Sequence, residues 1–406
     1  MASINDWTER RTSRRAGNGF RLTAAGVVFF VASFAGPPAA LAQPGASGAL
    51  VQSERATFRW VAFGTGLEYP WSLAFLPDGR MLVTERPGRL RIVGKDGKVE
   101  ARAVDGVPKV AATGQGGLLD VALHPRFAEN GLIYLSLAAG GTDGAGTEVV
   151  RARLTSTANA ARLNDVQTVF RMAQRTSRSV HFGSRLVFDA QGFLYITLGD
   201  RGDMQRAQRL DDHAGSVIRL HDDGRVPADN PFVKTPGARA EKFTLGNRNM
   251  QGAAIHPTTG ELWTHEHGPQ GGDEVNVMRA GRNYGWPLIT YGANYVTGTR
   301  IGEGTSRAGM EQPVTYWVPS IAPSGMAFYQ GAAFAGWKGN LLVGALRGQA
   351  LHRLELEGEK VVREERLLQD QVGRIRDVRV GPDGLVYLLT DERAGRIVRL
   401  EPAAKQ

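Results

Sequence analysis

The chain has 406 residues, 42% hydrophobic and 22% charged, a balance that excludes a disordered polymer and supplies ample apolar material for a core. Its 52 glycines suit many short strands joined by tight turns, and the absence of cysteine excludes disulfides and thiolate metal sites. The formal charge of +9 is dispersed, without the Lys/Arg run of a nucleic-acid arm, so the charge fits solubility or an anionic small ligand rather than a nucleic acid.

Residues 1–42 read as an export signal. Five arginines precede an apolar stretch from Leu22 to Phe34, and Ala40-Leu41-Ala42 offers small residues for cleavage. Those arginines, against Asp6 and Glu9, place +3 there and leave +6 on the remainder. The expected location is periplasmic or secreted. No other apolar run is long enough to cross a bilayer, so no membrane span is expected in the mature chain. Residues 43–56 read as a flexible mature N-terminus, and residues 57–402 as one domain.

That domain repeats one phrase: an alternating apolar run, a Pro/Asp/Gly-type turn, and a second apolar run. Copies begin at Leu73, Val121, Leu186, Ala254, Met326 and Val378, spaced by roughly 48 to 72 residues. The turns Pro77-Asp78-Gly79, Thr258-Thr259-Gly260 and Pro382-Asp383-Gly384 are hairpin signals. Six copies predict an all-β, six-bladed β-propeller with four-stranded antiparallel blades. The early strand from Phe58 to Phe63 is free to pair into the last blade and close the ring, which removes exposed edges. Strand ends from every blade then meet around one axis.

Residues capable of chemistry sit at those strand ends. His181, before Phe182-Gly183-Ser184, can take a proton from an alcohol near neutral pH. Asp200, in Gly199-Asp200-Arg201-Gly202-Asp203, can orient it. Arg248 and Asn249 follow an apolar run, and Arg347, Arg374 and Arg376 occupy similar positions. Their rigid donor forks suit carboxylates and quinone oxygens, and several of them on one axis require an anion. Gly268-Pro269 leaves backbone carbonyls in an irregular loop, with Asp273 and Glu274 nearby. Oxygen donors without thiolates favour Ca²⁺. His265 and His267 share a strand face but show no third ligand. His124-Pro125 and His256-Pro257 hold the same hairpin position in two copies, which predicts a structural role. No phosphate loop, Rossmann fingerprint or nucleophile elbow is present, which excludes NAD enzymes and α/β-hydrolases.

From Leu67 to Leu400 the chain resembles the soluble pyrroloquinoline-quinone-dependent aldose sugar dehydrogenases, close to the soluble glucose dehydrogenase family. The resemblance is carried by Gly114 to Asp120, His181 to Ser184, Gly246 to Asn249, Glu266 to Glu274, Asn283 to Pro287, Pro319 to Gly325 and Gly373 to Asp377, in that order and spacing. It implies a six-bladed propeller that oxidises aldoses at the anomeric carbon to lactones. His181 is then the general base, assisted by Asp200. Arg248 belongs to both the reacting centre and the cofactor site. Gln115, Asn249, Arg347, Arg374 and Arg376 would hold pyrroloquinoline quinone. The carbonyls of Gly268 and Pro269 would bind a catalytic Ca²⁺. Glu274 and the carbonyl of Tyr284 would bind a second, structural Ca²⁺. An external electron acceptor, a quinone or a small redox protein, is implied as a partner. Arg347 stands where glucose-specific members carry a lysine, and the loops over the pocket are shorter, which implies a broad aldose preference. The competing readings are a Ca²⁺-dependent propeller lactonase and a non-catalytic extracellular sugar-binding propeller.

Overall fold

A computed structural model describes residues 47–157 and 160–403. The export signal expected over residues 1–42 lies outside the described residues. The rest is built from 23 strands in six antiparallel sheets. The first sheet holds β3 (Pro70–Phe75), β4 (Met81–Glu85) and β5 (Arg89–Val93). The second holds β6 (Leu118–Leu123), β7 (Leu132–Gly141), β8 (Gly144–Ser156) and β9 (Ala161–Arg171). The third holds β10 (Leu186–Phe188), β11 (Leu194–Thr197) and β12 (Val217–Leu220). The fourth holds β13 (Met250–Ile255), β14 (Leu262–Glu266), β15 (Asp273–Met278) and β16 (Thr315–Trp317). The fifth holds β17 (Pro323–Phe328), β18 (Leu341–Ala345), β19 (Leu351–Glu357) and β20 (Lys360–Leu367). The last contains β21 (Ile375–Val380), β22 (Val386–Thr390) and β23 (Gly395–Pro402), joined by β1 (Val51–Gln52) and β2 (Thr57–Leu67).

The six repeats are the six innermost strands, and each packs on the next: β3 on β6, then β10, β13, β17, β21 and back to β3. The ring is a six-bladed propeller. It closes as the sequence predicts, by β2 pairing with β23 in the register Phe58↔Pro402 to Leu67↔Gly395. The blades are not all four-stranded. In the first and third, the fourth position is an irregular segment bonded at a few points, Glu100 N to Ile92 O and Phe243 N to Val217 O among them. The stretch expected to be flexible also differs. Val51 pairs with Phe58, and Ser53 and the Glu54 amide bond to Glu365 at 2.9 and 2.7 Å, tying it to the fifth blade.

Alternation puts one face of each sheet against the next, so the core is six wedges between blades. Leu82 and Ile92 meet Leu118 and Leu135 in one; Phe58, Trp337 and Leu342 meet Ile375 and Leu388 in another. Each fully buried side chain of this kind contributes about 1.5–3 kcal/mol. His124 and His256 are structural, as their shared position predicts: their Nδ1 atoms accept the turn amides of Arg126 and Thr259 at 2.9 and 3.1 Å.

Five of the six inner strands shift register near their start, between Pro70/Ser72, Leu118/Val121, Met250/Gly252, Pro323/Met326 and Ile375/Asp377. Such bulges re-aim one residue. The equivalent positions of the six copies are Ser72, Asp120, Arg185, Gly252, Gly325 and Asp377, and they close the axis. Arg185 bonds Asp120 and Asp377, each at 3.1 Å. Arg379 bonds the same two carboxylates at 3.1 and 2.8 Å. The two glycines leave space for their neighbours: a Cβ at Gly252 would lie 2.2 Å from His265 Nε2, and one at Gly325 would lie 2.4 Å from Asp377 Oδ1.

Candidate active site

One end of the closed axis opens into a cavity of about 290 Å³. Trp71, Leu119 and Phe182 give it an apolar lining; Gln115, Gln251, Arg86, Arg374 and Arg376 bring polar groups, and among the described residues Asp391 is its one carboxylate. Arg376 comes from the start of β21 and Arg374 from the loop before it. Both donate to Asp391, at 2.9 and 3.1 Å. Burial works against ionisation of Asp391, but the two arginines hold it at about 2. Three guanidiniums therefore face one carboxylate. Arg376 Nε and Asn249 Nδ2 are buried donors without a partner. An excess of cations and idle donors is the complement of a polyanionic acceptor.

A second cavity of about 110 Å³ adjoins it through Gln115, whose Oε1 accepts the His181 amide at 2.7 Å. His181, Asp200, Arg248, Pro269, Trp286 and Tyr295 line this space. His181 Nδ1 is 2.6 Å from Asp200 Oδ1, and the other Asp200 oxygen accepts Trp286 Nε1–H at 2.8 Å. Burial favours the neutral imidazole and leaves its pKa below the usual value, against the pull of Asp200 and with a further push from Arg248. Burial opposes the Asp200 charge, but the His181 hydrogen bond and Arg248 outweigh it and lower its pKa. The ionised carboxylate accepts, so the Nδ1 of His181 carries the proton and Nε2 is left basic. Close approach makes this possible: a Cβ at Gly199 would sit 2.2 Å from the His181 carbonyl oxygen.

Arg248 enters from the turn before β13. Its guanidinium donates to the His267 carbonyl at 3.0 Å and lies 5.4 and 5.9 Å from the Trp286 and Tyr295 ring centroids. Glu266, at the end of β14, builds that turn by accepting the Asn249 amide at 3.2 Å, the Arg248 amide and the Asn247 side chain at 3.0 Å. Directly across the sheet lies Glu274 in the register Glu266↔Glu274. Burial raises both carboxyl pKa values, and the Glu266 carboxylate raises that of Glu274 further. A cavity of about 10 Å³, the size of one small ion or water, touches both, together with Gly268, Tyr284 and Thr290. Two opposed buried carboxylates beside carbonyls form an oxygen donor set for a hard cation. Among the described residues, no three His, Cys, Asp or Glu side chains converge as metal ligands. Any cation here relies on backbone oxygen.

The structure thus brings together His181, Asp200, Arg248 and Pro269 in one cavity, and Gln115, Arg374 and Arg376 in its neighbour. Asn249 buttresses both, its Oδ1 accepting the Gly183 amide at 3.2 Å. Gly268, Glu274 and Tyr284 line the small cavity without Pro269. Arg347 is the exception: it is exposed, and its neighbour Leu346 lines the first cavity in its place. His265 and His267 part company, one in the axial plug and the other bonded to the Pro323 carbonyl at 2.6 Å. Sequence reading missed Trp71, Trp286, Tyr295 and Glu266. Of these, only Trp286 and Glu266 lay in motifs already singled out.

Residues 67–399 match the family model described as glucose/sorbosone dehydrogenase. Aldose sugar dehydrogenase YliI of Escherichia coli K12 is 48% identical over 340 residues, covering 83% of this chain and 91% of the relative. The apo crystal structure of the soluble aldose sugar dehydrogenase from Escherichia coli is 46% identical at a TM-score of 0.82, over 85% of this chain and 100% of that one. The PQQ-bound aldose sugar dehydrogenase of Streptomyces coelicolor is 28% identical at a TM-score of 0.71, over 89% and 99%.

Proposed function

This chain belongs to the glucose/sorbosone dehydrogenase family, and from that premise we propose that it oxidises aldose sugars at the anomeric carbon to lactones, using pyrroloquinoline quinone and Ca²⁺. The observation that carries the proposal is a pair of cavities whose walls are linked by the hydrogen bond from the His181 amide to Gln115. One holds a histidine with a basic Nε2 and an ionised orienting carboxylate. The other holds arginines in excess of Asp391, with the buried Arg376 Nε unpartnered among the described residues.

The residues present fit the quinone. Arg374, Arg376 and Arg86 would hold its carboxylates, Gln115 and Gln251 would offer polar contacts with Asn249 packed behind them, and Trp71 and Phe182 would give an apolar surface to a flat ring system. Gly268, Glu274, Tyr284 and Glu266 offer the oxygen donors that Ca²⁺ takes, and Pro269 faces the reaction cavity. When bound, the quinone supplies the acceptor for the hydride of the anomeric carbon, and Ca²⁺ makes it more electrophilic. Everything else is done by the chain. His181 Nε2 takes the proton of the anomeric hydroxyl, and Asp200 stabilises the imidazolium that forms. Trp286 and the Gly202 amide, at 2.8 and 2.7 Å, keep Asp200 ionised and aimed. Arg248 has no carboxylate partner among the described residues, so its charge is available to the negative charge that develops in the transition state.

The PQQ-bound relative supports the choice of cofactor. A lactone-hydrolysing propeller needs a cation on the axis, and here Arg185, Arg379 and His265 fill that space. The arginine-rich N-terminus supports export, and with it delivery of electrons to an external quinone or redox protein. The test is dye-linked aldose oxidation by purified apoprotein. Activity is expected only after both quinone and Ca²⁺ are added. Lactone hydrolysis without quinone would replace this reading.

A further inference from the structure

The Gly199–Asp203 motif supplies Asp200 to the dyad and the Gly202 amide to Asp200, but Arg201 has no part in that chemistry. Its side chain is fully buried and pairs with no carboxylate among the described residues. The guanidinium instead donates to three backbone carbonyls: Val180, Arg178 at 2.7 Å and Ala145 at 3.3 Å. Its plane also covers the Phe182 ring, 3.4 Å from the centroid. Three of these four contacts bracket His181 in sequence, on both sides.

The bracketed segment needs holding. His181 has φ 54°, Gly183 φ 65° and Ser184 φ 91°, and Arg201 itself has φ 60°. Non-glycine residues persist in this region only where their surroundings over-determine them. A buried cation without a counter-ion is itself unfavourable. Its retention at this point is explained if it does something a neutral side chain cannot.

We propose that Arg201 is a positioning residue for the reaction: its three carbonyl bonds and its stack on Phe182 fix the turn that aims His181 at Asp200. The inference rests on reading His181 as the base. The groups facing His181 are Asp200, which favours the imidazolium, and Arg248 and Arg201, which disfavour it; Gln115 holds its amide. Removing the Arg201 charge leaves Asp200 less opposed. The imidazole then protonates at higher pH, and a base that must be neutral is lost at higher pH.

The experiment is an NMR titration of the His181 imidazole with amide exchange at residues 180–182, in the full chain without quinone, for wild type, Arg201→Gln and Arg201→Lys. In Arg201→Gln the midpoint is expected to rise by at least about half a pH unit, towards the ordinary ~6.5, while Arg201→Lys stays near wild type. Amide exchange at 180–182 should quicken about tenfold or more in both, because neither keeps the full fork. In dye-linked assays kcat should fall about tenfold with KM within about twofold, and the acid limb should move up in Arg201→Gln only. An unchanged midpoint together with unchanged exchange would overturn the proposal. Should Arg201→Gln not fold, wild-type exchange and kcat in Arg201→Lys would overturn the positioning role. Titration and exchange need no turnover, so a failure of the sugar-oxidation reading would show separately, as absent activity in wild type.

Discussion

Arg376 and Arg379 lie three residues apart around the start of β21, and their surroundings divide the molecule's chemistry in two. Arg379 joins Arg185, Asp120 and Asp377 in the axial plug, where two cations meet two carboxylates and Ser72 adds a hydrogen bond at 3.0 Å. Arg376 looks into the cavity, where it shares Asp391 with Arg374 and keeps a buried Nε without a partner. The plug is closed and neutral; the cavity is open and positive. Buried charge that is fully paired specifies structure, and buried charge left in excess awaits a ligand.

That contrast can be broken from either side. The largest effect is expected in the plug. Asp120→Ala would leave two buried arginines sharing Asp377 alone and free the Leu186 amide now bonded at 2.7 Å, at a cost of about 3–5 kcal/mol, read from denaturant midpoints. On the cavity side, His181→Ala should lower kcat by ~10²–10⁴-fold while quinone binding and unfolding midpoint stay near wild type. A full rate in that variant would remove the dyad from the reaction. Arg374→Ala removes a half-exposed side chain whose bond to Asp391 adds little stability. It should weaken quinone binding about tenfold by titration calorimetry and change stability by less than ~1 kcal/mol. An equal loss of stability in Arg374→Ala and Asp120→Ala would erase the distinction.

The remaining effect concerns pH. His265 is fully buried in the plug with both ring nitrogens unpaired, and burial, aided by the Arg185 charge, holds its pKa at about 3. The unfolded imidazole binds its proton near pH ~6.5. The unfolded state therefore gains protons first, and stability should fall as pH drops from about 6.5 towards 3. One proton sets a slope of at most about 1.4 kcal/mol per pH unit. His265→Leu should flatten the pH dependence of the unfolding midpoint by that one proton; an unchanged slope would place the acid sensitivity elsewhere.

The closed ring was legible from six copies of one phrase, because alternation and hairpin turns are local signals. Blade width was not, since the outer segments near Glu100 and Phe243 bond at isolated points without a period. The His181–Asp200 pairing was legible as two strand ends, though not as a 2.6 Å contact. The plug was invisible for a different reason. Asp120 looks like any polar residue in a repeat until the bulge in β6 turns it to the axis, where Arg185 meets it. Glu266 stood in a recognised motif without a role, and its bonds to the Arg248 turn appear only when β14 and β13 are side by side. Arg347 shows the converse: strand-end position suggested convergence, and the side chain stays on the rim.

The most direct measurement is a calorimetric titration of the apoprotein with pyrroloquinoline quinone in the presence of Ca²⁺, repeated at rising salt. The account predicts one site per chain, binding that weakens with ionic strength because arginines meet carboxylates, and aldose oxidation that appears with saturation. No binding, or binding that leaves aldose oxidation absent, would contradict it.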